Sequence, residues 1–138
     1  MKKYFLITSA FFNIFLFSCK ETPKTEAPTQ MQRVLAVHDE VMPKMGYMGQ
    51  LIAQLDDKIE ETDTPEAYME AGEDLREANI AMNDWMKNFV DSFDPEETRK
   101  GKALTEEKQK LLNEEEKKVE ALRDQINTSI ENAENLLK

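Results

Sequence analysis

The 138-residue chain carries one cysteine, one histidine and one tryptophan, with only four glycines and five prolines. A lone cysteine cannot close an intramolecular disulfide, so the fold must be held by its core. A single histidine excludes a His-rich zinc centre and the paired Glu-x-x-His motifs of di-iron bundles. There is no glycine-rich phosphate loop, no Ser/His/Asp set and no cysteine pair, so the reading is non-catalytic and calls for no cofactor. Strand-like alternation of apolar and polar residues is also missing. Basic residues are in the minority, 18 against 28 acidic, for a net charge of −10. That charge opposes binding to nucleic acid, whose phosphates would repel it, and to anionic membrane surfaces. A neutral or cationic partner fits better.

What is present begins at the N-terminus. Lys2 and Lys3 precede an apolar run, Tyr4 to Phe17, interrupted only by Thr8, Ser9 and Asn13. The run is shorter than the roughly 20 residues a spanning helix needs, and fits a cleaved signal peptide. Leu16-Phe17-Ser18-Cys19 then resembles the lipobox of bacterial lipoproteins, with Leu16 at −3, Ser18 at −1 and Cys19 at +1; Phe17 is bulkier than usual at −2. The resemblance implies that the Cys19 thiol is alkylated by a diacylglyceryl group and becomes the acylated N-terminus. The membrane is then a partner through that lipid, since two or more acyl chains anchor stably. Loss of residues 1–18 leaves 138 − 18 = 120 residues and, with Lys2 and Lys3 gone, moves the charge from −10 to −12. Lys20-Glu21 resembles the surface-export signal of Bacteroidetes lipoproteins, which points to the cell envelope, to the outer membrane and to surface exposure.

Residues 19–30 form the lipidated cysteine and a Thr/Pro/Glu/Lys-rich stretch without periodicity, read as a disordered tether. From residue 31 to 138 the pattern is helical. Val34, His38, Val41, Met45, Met48, Ile52, Leu55 and Ile59 recur at steps of three and four, giving one apolar helical face. Thr64-Pro65-Glu66 signals a second start, with Pro65 at the first helical position. Its stripe is Tyr68, Ala71, Leu75, Ala78, Met82, Trp85, Phe89 and Phe93. Asp94 and Glu97 have capping-box spacing, and Arg99-Lys100-Gly101 reads as a stop, so 95–100 is a short connecting helix. A last helix runs from about Thr105 to Leu137, with Leu112, Val119, Ile126 and Ala133 every seventh residue. Leu122 and Leu136 occupy the second heptad position, which Glu115 and Ser129 interrupt. The expected fold is all-α: an antiparallel three-helix bundle with a kinked first helix and a short connecting helix, after the signal peptide and tether.

Local rules are broken in one segment, His38 to Gly49. Pro43 stands inside an unbroken apolar stripe and should kink the helix, and Gly46 and Gly49 each cost roughly 1 kcal/mol relative to Ala. Either the kink wraps this helix around its neighbours and the glycines permit close approach, or the backbone opens to admit a ligand. Hairpin geometry brings His38, Met42 and Met45 toward Met82, Trp85, Met86 and Phe89. Thioethers and one imidazole are soft ligands that suit Cu(I), with Trp85 adding a cation–π contact. Core packing of Met against aromatics is the simpler use of the same residues, and an adaptable apolar pocket a third. His38, Met42, Met45, Met82, Trp85 and Met86 are therefore the candidate binding cluster, with no firm metal assignment. His38 and Asp39 point about 100° apart as helix neighbours and are not expected to form a dyad. The runs Asp56-Asp57, Glu60-Glu61 and Glu114-Glu115-Glu116 read as solvated faces.

The segment Val34 to Leu55, above all His38 to Gly46, together with Asp84-Trp85-Met86 and Phe89, resembles small uncharacterised helical lipoproteins of Bacteroidetes. Some of these carry labels taken from viral A-type inclusion proteins. The resemblance implies a helical lipoprotein and brings no catalytic or binding residues with it. The sequence points to a lipid-anchored interaction or binding module of the envelope with an unknown protein or small-ligand partner. The alternative is a soft-metal protein using the His/Met cluster.

Overall fold

The computed structural model describes residues 28–138. Leu16, Ser18 and Cys19, with the expected signal peptide and most of the expected tether, lie outside the described residues. The rest is all-helical, and among the described residues there is no strand. Four helices pack together: α1 (Gln30–Glu61), α2 (Glu66–Ser92), α3 (Pro95–Lys100) and α4 (Glu106–Leu136). None is long and apolar enough to cross a membrane.

Each boundary has a local cause. Thr29 caps α1, accepting from the Gln32 backbone N–H, while the Gln32 side chain accepts from the Thr29 N–H. The helix thus starts at Gln30, within the stretch expected to be tether. At α2, Pro65 is the cap residue, with φ −80° and ψ −8°, so the first helical residue is Glu66, one later than expected. Asp94 and Glu97 form the anticipated capping box of α3. Gly101 closes it at φ 71°, a left-handed conformation that glycine adopts without steric cost. Thr105 caps α4 by accepting from the Lys108 N–H.

α1, α2 and α4 each pack on the other two. Directions follow from cross-helix pairs. Asp56 meets Arg76 and His38 meets Trp85, so α1 and α2 run oppositely. Arg33 meets Glu116, Lys44 meets Asn127 and Tyr47 meets Glu134, so α1 and α4 run the same way. The core lies between them, with Val34, Val41, Met48, Leu55, Leu75, Met82, Leu112, Val119 and Ile126 essentially inaccessible. Burial of one such side chain contributes about 1.5–3 kcal/mol.

The structure corrects three expectations. Gly46 and Gly49 are exposed, and a Cβ at either would meet nothing within 4 Å, so they permit no close helix approach. Instead α1 reaches α4 here through long polar side chains, Lys44 to Asn127 at 2.6 Å and Tyr47 to Glu134 at 2.8 Å. α1 continues as one helix through Pro43. Glu115 is not on a solvated face: it is buried at the second heptad position, as is Ser129. Arg33 and Gln30 hold Glu116, whose carboxyl lies below its ordinary value, first through the Gln30 hydrogen bond and then Arg33. Third, His38 does bond its neighbour, Nδ1 lying 3.0 Å from Asp39 Oδ1. The exposed Asp39 side chain folds back along the helix surface, which the angular separation of the two Cβ atoms does not prevent.

Candidate functional site

Trp85, Phe89 and Phe93 follow one another at intervals of four, which aligns them along one helical face. Their rings form a continuous row, with centroids 4.9 Å apart for Trp85–Phe89 and 4.8 Å for Phe89–Phe93. The His38 ring extends the row from α1, 5.9 Å from Trp85. Distances and tilts of this kind are those that aromatic pairs favour.

The row lies beneath a groove of about 330 Å³, its Trp85, Phe89 and Phe93 rings belonging to the core and only 3–5% exposed. α1 contributes Leu35 and His38, α2 adds Met86 and Val90, and Pro95, Thr98 and Arg99 of α3 form the remaining wall. Val90, 73% exposed, stands at the rim. The volume falls at the small end of ligand sites. No carboxylate lines this groove, whereas a second concavity includes Asp84 and Glu115 and a third Glu70 and Asp74.

Six residues of isolated helix would not persist in water, so the α3 wall is held from outside its own ladder. Asp94 Oδ1 accepts from the backbone N–H groups of Glu96 and Glu97 at 2.8 and 3.0 Å. Buried Glu97 accepts from the Asp94 N–H at 2.9 Å and from Lys108 Nζ of α4 at 2.6 Å. Lys102 adds a contact to Asp94 at 3.1 Å. Lys108 also sits 5.9 Å from the Phe93 ring centroid. The Lys108 hydrogen bond holds the Glu97 carboxyl below its ordinary value, helped by the Asp94 backbone. The Glu97 backbone N–H does the same for Asp94, followed by Lys102.

Two polar atoms near this site lack partners. Trp85 Nε1 and Glu115 Oε2 are buried and make no hydrogen bond, and both residues line the second concavity. The other Glu115 oxygen accepts from Lys118 at 2.7 Å. His38 Nδ1 is engaged with Asp39 Oδ1 at 3.0 Å.

Of the expected cluster, His38, Trp85 and Met86 share the groove. Met82 is wholly buried in the core, Met45 packs against that core, and Met42 is partly buried; none of the three lines the groove. Among the described residues, no three His, Cys, Asp or Glu side chains gather as a metal-binding group. Sequence reasoning missed Leu35, Val90, Thr98 and Arg99. Val90 stands off the apolar stripe, and 95–100 read only as a connector. The available signal was the four-residue spacing of three aromatics running straight into a capped helix. Comparison with protein-family models, curated proteins and solved structures gives no match.

Proposed function

We propose that this protein is a lipid-anchored, non-catalytic binding module of the cell envelope, and that the aromatic groove is its binding site. In this reading Cys19 carries the lipid after removal of residues 1–18, and residues 20–28 link it to an antiparallel three-helix bundle. The observation that carries the proposal is the aromatic row His38–Trp85–Phe89–Phe93, walled by α3 and bordered by exposed Val90. An apolar concavity with few polar groups is the usual form of a small-molecule site.

The chain's one tryptophan lies in the groove, which makes occupancy directly readable. Titration with the neutral apolar fluorophore N-phenyl-1-naphthylamine should produce saturable energy transfer from Trp85. Val90→Glu places a charge on the rim at an exposed position, where substitutions usually change stability by no more than about 0.5 kcal/mol. It should weaken transfer at least several-fold. Equal transfer in both proteins would remove the groove from consideration.

A further inference from the structure

The charge around the groove runs against the charge of the chain. Acidic residues outnumber basic ones 28 to 18, and yet the groove's only ionic side chain, besides the titratable imidazole of His38, is the Arg99 guanidinium. Arg33, Arg76 and Arg123 each pair with a carboxylate, whereas Arg99, among the described residues, forms no ion pair and no side-chain hydrogen bond. An unpaired guanidinium beside an apolar floor is complementary to an amphiphile with one anionic end. Guanidinium favours carboxylate because two parallel N–H donors match its two oxygens.

We propose that the groove takes a medium-chain monocarboxylate, its alkyl body against Leu35, Met86 and Val90, the accessible apolar lining beside the buried Trp85–Phe89–Phe93 row, and its carboxylate on Arg99. The proposal rests on the groove being a binding site, and specifies what it selects. Size sets the chain length. A volume of about 330 Å³ is at the small end of ligand sites, which favours a chain of the length of octanoate or decanoate over a long one. Longer chains would leave methylenes in water. A cationic amphiphile would set its head against Arg99, and a neutral one would leave the guanidinium unused.

The test is titration of the full-length protein with decanoate, decanol and decyltrimethylammonium below their micellar concentrations, followed through Trp85 emission. Arg99 is exposed, so its contribution is moderated by water, and a preference of about two- to fivefold for decanoate over decanol is expected. Arg99→Gln should abolish that preference while leaving decanol binding unchanged, and Arg99→Lys should keep most of it. Equal affinity for decanoate and decanol in the unaltered protein overturns the carboxylate assignment and leaves the groove reading standing. A preference that survives Arg99→Gln overturns the role of Arg99. If no ligand perturbs Trp85, both readings fall. Should Arg99→Gln disturb the helical circular dichroism, Arg99→Met takes its place and the same outcomes decide.

Discussion

Glu97 of α3 and Lys108 of α4 meet at 2.6 Å, and through that contact a six-residue helix is fixed to a 31-residue one. Glu97 is 6% exposed, so its carboxylate is withdrawn from water and relies on Lys108 and the Asp94 N–H. The same pair holds one wall of the groove, because Pro95, Thr98 and Arg99 move with α3. Position and stability are coupled here: what loosens Glu97 should open the site.

Acid should do this. The folded Glu97 pKa is depressed below its ordinary value of 4.5, first by Lys108, so its contribution is full above pH 4.5. It is lost as pH falls through the lower folded value. Asp94 shifts in the same direction and adds to the effect. Melting temperature should therefore hold steady from pH 7 to about 5 and fall below 4.5, and Glu97→Gln should fall less over the same interval. A Glu97→Gln profile parallel to that of the unaltered protein would dissociate this pair from acid stability.

Gly46→Ala and Gly49→Ala should each stabilise the protein by about 1 kcal/mol. Both glycines are helical and exposed, with open space where a Cβ would go. Urea unfolding of the single and double variants measures this, and the two effects should add. Gly101→Ala should act the other way, because at φ 71° any side chain is strained.

The helical pattern was legible because apolar residues at steps of three and four admit only one period, and the cap at Asp94 because its bonds are local. The buried face of α2 follows its stripe from Ala71 to Phe93. Expectations failed where tertiary placement decides. Gly46 and Gly49 look like packing glycines until α1 turns them to solvent. Glu115 looks like one acid of three until the heptad carries it inward. The groove stayed hidden because half its wall belongs to α3, whose position depends on Lys108, eleven residues beyond Glu97.

Leu75→Ala and Met82→Ala should each cost about 2–5 kcal/mol, since both side chains are fully buried and their removal leaves a void. Chemical denaturation checks this. A loss below 1 kcal/mol at both sites would mean that the α2 stripe is not the core it forms here.

Cys19→Ser should abolish incorporation of labelled palmitate. Cys19 is the chain's only thiol, so no second cysteine can supply the anchor. Retention of label in the variant would defeat the lipid assignment while leaving the groove untouched.

Glu115→Met should stabilise the protein by about 1–3 kcal/mol. Glu115 occupies a heptad position that is otherwise apolar, and one of its oxygens is buried without a donor. An unsatisfied buried acceptor costs about that much, and methionine has a similar length and an adaptable shape. The Lys118 ammonium released by the substitution is 58% exposed and hydrates readily, so no unpaired buried charge is left behind. Trp85 Nε1 is unpartnered on the same concavity. Urea denaturation read by Trp85 emission tests this, since the midpoint reports the stability and the folded-state emission wavelength the indole environment.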